Sequence, residues 1–206
     1  MVDFQSRSSR RGTEDEEEEE EQAEEEPEAE PAEAEVDTGV EDSEPSTGLA
    51  FAVVTVSADR SLAEDEQGDA VVDGVAAAGN DITTRDLIQP SYDGVQNTIS
   101  TLATRNDVDV VVVIGGTGVE PGDVTVGALE PLFDKHLPGF GELYRRLATE
   151  EYGSATVRTR TTAGIVAQVP VFVVPGTVEG AMLAVEKIIL SEAGPLAREA
   201  TPGEPA

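Results

Sequence analysis

Gly115, Gly116, Thr117 and Gly118 follow directly on Val110–Ile114, five β-branched apolar residues in a row. Such a run fits a strand buried on both faces, as in a parallel sheet. Glycine allows positive φ and lets backbone pass close to a ligand. A strand that ends in such a loop and leads into a helix is where α/β sheets hold anions. The helix start offers unpaired N–H groups and a partial positive charge. Pro175-Gly176-Thr177 repeats the arrangement after the apolar run Val169–Val174, and a phosphate suits either loop. Arg160 offers a charged fork for a second phosphate or a carboxylate, or else a surface ion pair. Asp123 stands where the next helix should open. It is either an N-cap, contributing about 1 kcal/mol, or a magnesium ligand at a phosphate site. Glycine loops, hydroxyls (Thr117, Thr159, Thr177) and one carboxylate suit phosphoryl or nucleotidyl transfer, which needs positioning and charge neutralisation more than covalent catalysis.

Taken alone, residues 115–118 also fit a tight strand-to-helix turn. No lysine follows the glycines, so this is no Walker loop, and the dinucleotide G-x-G-x-x-G pattern is missing. The elements that would position these residues are legible in order. Residues 49–57 form a buried first strand ending at Ser57, which is either a strand-end serine or a ligand contact. A helix over 70–78 follows, stopped by Gly79-Asn80. Residues 81–89 make a second, shorter strand whose polar alternation places it near an edge. Pro90 to Asp93 opens a helix with Val95, Ile99 and Leu102 on one face, ending near 105–107. After the glycine loop, a short helix over 123–130 ends or kinks at Pro131. Phe140, Leu143, Tyr144 and Leu147 mark the buried face of a further helix, with Glu142 holding the loop at 139–141. His136, the one histidine, is read as a surface or helix-end residue. Residues 154–160 show no clear period. Pro170 in the strand 169–174 marks a strand start or an edge. A helix over 178–190 and a last short turn near Leu196 close the chain. Strands alternating with helices predict an α/β protein: a three-layer α/β/α arrangement around a mostly parallel, doubly wound sheet.

The 206 residues carry 43 acids against 13 lysines and arginines, a formal charge of −30. The first 46 hold 20 of the acids and three arginines. Residues 1–46 are low in complexity, with an acidic run from Glu14 to Glu21, and read as a disordered acidic leader or an acidic interaction tail. Residues 47–206 are of a size for one domain, and they keep an excess of 23 acids over 10 bases. An excess that continues through the domain is self-repelling unless salt screens it, which points to a halophilic cytoplasm. No basic stripe offers a nucleic-acid surface. With no cysteine there is neither a disulfide nor a thiolate metal site. No apolar run approaches membrane-spanning length and the N-terminus lacks a signal-peptide core, which places the protein in the cytoplasm.

Over about residues 48–192 the chain resembles the MoaB/MogA family of molybdenum-cofactor biosynthesis proteins, which bind molybdopterin. The resemblance rests on Gly-Gly-Thr-Gly at 115–118, Gly-Asp-Val-Thr at 122–125, Pro-Leu-Phe-Asp-Lys at 131–135, Gly-Phe-Gly-Glu at 139–142 and Pro-Gly-Thr at 175–177, in that order. It implies adenylyl transfer from ATP to the molybdopterin phosphate, with Asp123 as catalytic residue and magnesium ligand. It implies ligand contacts at Ser57, at Gly115, Gly116, Thr117 and Gly118, at Pro175, Gly176 and Thr177, and at Thr159-Arg160, which replaces the family's Ser-Arg pair. Gly68-Asp69 matches a pair that precedes the first helix. It also implies a homotrimer, sometimes paired into a hexamer. One departure stands out: active relatives carry a second aspartate at the end of the second strand, and ungapped counting puts Pro90 there. Asp93, about one helical turn on, is the candidate to replace it. A non-catalytic molybdopterin-binding or carrier protein is the alternative.

Overall fold

The computed structural model describes residues 47–201. The expected acidic leader over 1–46 lies outside the described residues. β1 (Ala50–Val56), β3 (Val110–Ile114) and β6 (Val169–Val174) are buried almost throughout. They lie side by side at the middle of a six-stranded sheet completed by β2 (Asp81–Ile88), β4 (Lys135–His136) and β5 (Thr162–Val166), in the order β2-β1-β3-β6-β5-β4. β2, β1, β3 and β6 run parallel. β5 and β4 join antiparallel, so the sheet is mostly parallel with an antiparallel end. β2 is an edge strand, as its polar alternation indicates, but with eight residues it is longer than β1.

Alternation along the strands sends neighbouring residues to opposite faces. Phe51, Val53, Val110, Val112, Ile114, Phe172 and Val174 face one helical layer. That layer is α1 (Glu66–Ala77), α4 (Pro138–Tyr152) and the long C-terminal helix. Ala52, Val54, Val111, Val113, Val171 and Val173 face the other, formed by α2 (Tyr92–Ala103) and the short α3 (Thr125–Leu129). The result is the three-layer α/β/α fold.

Several local expectations need correction. β4 and β5 were not legible as strands. β4 is two exposed residues, extended only by pairing with β5. Gly164 leaves β5 without a side chain where the Phe133 ring covers it, since an added Cβ would lie 2.3 Å from that ring. Pro170 marks the start of β6 and not an edge, because β5 and β3 flank that strand. Residues 139–141 are the first turn of α4 and not a loop. Glu142 is exposed there, with no hydrogen bond or ion pair among the described residues. The buried stripe of α4 is Phe140, Tyr144 and Ala148, while Leu143 is 41% exposed. The C-terminal helix does not end near Leu190. α5 (Val178–Ala184) widens into a π turn over Val185–Ile189 and continues as α6 (Leu190–Ala200), through Pro195. Burial of Ala193 and Gly194 holds these last turns.

β5 turns into β6 through Ala167 and Gln168, between the paired Val166 and Val169. Both central residues have positive φ, 46° and 73°. A two-residue hairpin of this hand favours Asn-Gly, and each other residue there is strained. The Asp134 carboxylate supports the turn by accepting from the Ala167 N–H at 2.9 Å. Replacing the pair (Ala167→Asn with Gln168→Gly) should raise stability by about 1 kcal/mol in urea denaturation. An unchanged or lower midpoint would contradict the strain.

Candidate functional site

The sheet switches direction between β1 and β3. The chain leaves β1 for α1 on one face and β3 for α3 on the other. The two loops therefore part at the carboxyl ends of these strands and open a crevice, the usual ligand position in such sheets. β6 adds a third loop, Pro175 to Thr177, beside them.

Two glycines form the closest approach in this crevice. Gly115, at φ 95°, donates its N–H to the Val174 carbonyl at 2.9 Å. A Cβ added to it would stand 2.7 Å from the Val56 carbonyl oxygen, and one added to Gly176 would stand 3.2 Å from the Gly115 Cα. Loops from three strands thus meet backbone to backbone. Gly116, at φ 66°, is packed on the hydroxyl of Thr125, which is fully buried and has no hydrogen-bond partner among the described residues.

Asp123 is not the cap of α3. That helix starts at Thr125, with Val124 in the cap position and no capping side chain. The Asp123 carboxylate instead turns back and accepts from the Glu120 N–H at 2.8 Å through Oδ2. The Asp123 N–H in turn donates to the Glu120 carbonyl at 3.0 Å. This closed turn sets the carboxylate against Gly118, where an added Cβ would meet Oδ2 at 2.5 Å. Oδ1 has no partner among the described residues. Those residues hold no cluster of three or more acids or histidines. A single carboxylate oxygen fits magnesium where phosphates and water complete the shell.

Arg160 makes no ion pair among the described residues, and part of its fork is held by backbone carbonyls. Its backbone N–H donates to the Thr117 carbonyl at 2.8 Å. Its Nε donates to the Gly118 carbonyl at 2.7 Å, and its Nη2 to the Asp123 carbonyl at 2.6 Å. The guanidinium spans the two ends of the 118–123 turn, leaving Nη1 toward solvent or a ligand. Thr117 is buried and gives this clamp its carbonyl. The hydroxyls of Thr159 and Thr161 lie 3.0 Å apart beside it. The Thr177 hydroxyl caps α5, accepting from the Gly180 N–H at 3.1 Å.

Ser57 is half-buried at the end of β1, and its hydroxyl accepts from the Asp59 N–H at 3.4 Å. Gly68-Asp69 does not precede α1 but lies in its first turn, because Asp65 caps the helix. Asp93 is exposed in the first turn of α2, with Pro90 just before the capping Ser91. One turn on, Gln96 donates to the Ala128 carbonyl of α3 at 2.9 Å, which ties the two helices together. Asp93 and Asp123 each follow the carboxyl end of a parallel strand, β2 and β3, and no bond joins them among the described residues. His136 is exposed on β4, its ring edge-on to Phe133 at 5.3 Å.

Sequence reasoning missed a cavity of about 310 Å³ between α4 and α5, lined by Tyr144, Tyr152, Thr156, Thr159, Pro175 and Thr177 among others. Burial pushes the Tyr144 phenol up to about 12, and the neighbouring Tyr152 and Glu151 add to the shift. The unfolded chain ionises near pH 10, so the stability this group contributes is complete below pH 10 and is lost as pH rises toward 12. The unfolding midpoint should fall across that window, and Tyr144→Phe should flatten the fall. A decline that keeps its slope in the variant would assign the loss to other groups.

Comparison with known proteins identifies the family and the fold. A family model described as a probable molybdopterin binding domain matches residues 52–195. Molybdenum cofactor biosynthesis protein B of Bacillus subtilis is 36% identical over 148 residues, covering 71% of this chain and 87% of its own length. The Escherichia coli protein of that name is 34% identical over 139 residues, covering 68% and 82%. A crystal structure of molybdenum cofactor biosynthesis protein B superposes with a TM-score of 0.72 at 32% identity, covering 75% of this chain and 96% of its own. The tungsten cofactor synthesizing protein MoaB of Pyrococcus furiosus does so with 0.66 at 34%, covering 74% and 97%. With the family model matched over residues 52–195 and relatives above 30% identity over most of the chain, the chain belongs to the MoaB/MogA family of molybdenum-cofactor biosynthesis proteins.

Proposed function

We propose that the protein binds molybdopterin in the crevice between β1 and β3 and adenylylates it with ATP and magnesium. The observation that carries this reading is the free Oδ1 of Asp123, held at the mouth of a crevice whose floor is glycine backbone. Gly116 to Gly118 and the start of α5 at Thr177 would hold phosphate by N–H groups, over the backbone of Gly115. Arg160 fixes the turn that aims Asp123, and its remaining Nη1 can reach a phosphate oxygen. Magnesium, bound at Asp123, would neutralise charge on the phosphates being joined and released. Ser57 and Thr159 would add hydroxyls to the site. Asp93, in the first turn of α2, is the second carboxylate of the reading.

The non-catalytic alternative, a molybdopterin-binding or carrier protein, has its own support: Pro90 offers no carboxylate, and Asp93 is exposed and held by no bond. Incubation with molybdopterin, ATP and magnesium separates the two readings. Adenylylated molybdopterin detected by mass spectrometry supports transfer. Saturable molybdopterin binding without that product would leave only the carrier. Assembly as a homotrimer or hexamer in a saline cytoplasm belongs to the same proposal. For the described residues, no helix is long and apolar enough to cross a membrane.

A further inference from the structure

We infer that Asp65 and Arg85 are positioning residues for the loop that leaves β1, and so set one wall of the crevice. The inference rests on the molybdopterin reading for its ligand, though its geometry is independent of it. Asp65 is fully buried. Its Oδ1 accepts from the Gly68 N–H at 3.1 Å, capping α1, and its Oδ2 accepts from the Thr55 hydroxyl at 2.7 Å. Arg85, on β2, brings Nη2 within 3.5 Å of the same Oδ2 and donates to the backbone carbonyl of Asp65 at 3.2 Å. It also reaches the Leu62 carbonyl, and its Nη1 pairs with Asp69. β1, β2 and α1 thus converge on one buried carboxylate.

A helix cap does not need this. Ser91 and Thr177 cap α2 and α5 with hydroxyls at exposed positions. Burying a carboxylate is costly unless charge and hydrogen bonds compensate it, and removing one partner then exposes the full cost. What the buried pair adds is an anchor for residues 57–65. Between these ends the loop is exposed from Ala58 to Glu64. Besides the Arg85 contact to the Leu62 carbonyl, its hold on the sheet is the Ser57 N–H, which donates to the Ile88 carbonyl at 3.0 Å. At its start, the Val56 carbonyl stands against Gly115, at the floor of the crevice. Fixing the far end at Asp65 therefore fixes the course of Ser57 to Arg60 past the site. The planar fork of Arg85 holds two carbonyls and two carboxylates at once, which a lysine cannot.

The test compares Asp65→Asn, which keeps a capping acceptor and loses the charge, with Thr55→Val, which loses only the hydroxyl, and Thr55→Ser, which restores it. Hydrogen exchange at residues 57–62 should quicken about tenfold or more in Asp65→Asn, with exchange at 115–118 and 175–177 unchanged. Molybdopterin affinity, measured well below the unfolding midpoint, should fall about tenfold. Thr55→Val should move both readouts in the same direction, and Thr55→Ser should return them to the parent values. Val108→Ala, a core truncation at the opposite end of the sheet, should lower the midpoint and leave affinity intact. Should Asp65→Asn not fold, the Thr55 pair carries the test. Parent-like loop exchange and affinity in a folded variant would overturn the inference. A parent protein that does not bind molybdopterin would overturn the substrate reading instead, and loop exchange alone would then decide the positioning role.

Discussion

Asp123→Asn should lose adenylyl transfer by about a hundredfold or more while molybdopterin binding and the fold persist. A magnesium-bound phosphate contributes several kcal/mol of transition-state stabilisation, and its loss is felt in turnover. Asparagine can still accept from the Glu120 N–H, the one bond the carboxylate makes, so the turn should survive. Because Asp123 is no helix cap, the substitution should leave stability within about 0.5 kcal/mol. The Arg160 clamp reaches the backbone carbonyl and not the carboxylate, so it too is untouched. Turnover by mass spectrometry and a parallel denaturation curve check the two halves. Full activity in the variant would remove Asp123 from the chemistry and leave it as a turn residue.

Gly115→Ala should be strongly damaging on the β3 side of the crevice. It places a side chain at φ 95° and drives a Cβ to 2.7 Å from a backbone oxygen that β1 holds in place. Strain and overpacking together should cost about 3 kcal/mol. The loop can escape only by moving away from Val56 and Gly176, which opens the floor of the crevice. Molybdopterin affinity should therefore fall with stability. Gly122→Ala, where an added Cβ meets nothing within 4 Å, is the control and should change neither. If Gly115→Ala unfolds at the parent midpoint, the close approach is not a constraint.

The central strands were legible because each is an unbroken apolar run whose burial requires no partner's identity. β1, β3 and β6 fall within a residue or so of their sequence bounds. β4 was not legible, since two exposed residues become a strand only by pairing with β5. The glycine loops were legible as places where backbone comes close, while the partners of the charged side chains were not. Asp123 looked like a cap because it stands two residues before the helix, but its carboxylate closes a turn of its own. Arg160 was legible as a charged fork, but the two carbonyls that its guanidinium binds were not, since they belong to a turn some 40 residues earlier. Asp65, between two glutamates, reads as one more solvated acid. Only β2 coming alongside β1 brings Arg85 to it. Charge alone does not tell a surface acid from a buried one when the partner is far along the chain.

The place of β6 in the sheet has a consequence for synthesis. β6 lies between β3 and β5, yet residues 115–168 separate it from β3 along the chain. While the ribosome makes that stretch, β2, β1 and β3 can already associate, and β3 then presents an unpaired edge of Val and Ile. Such an edge is a template for pairing with another nascent chain. Chains that stall before Val169 should therefore be the aggregation-prone species, and those that pass Val174 should close the edge and the ligand crevice in a single event.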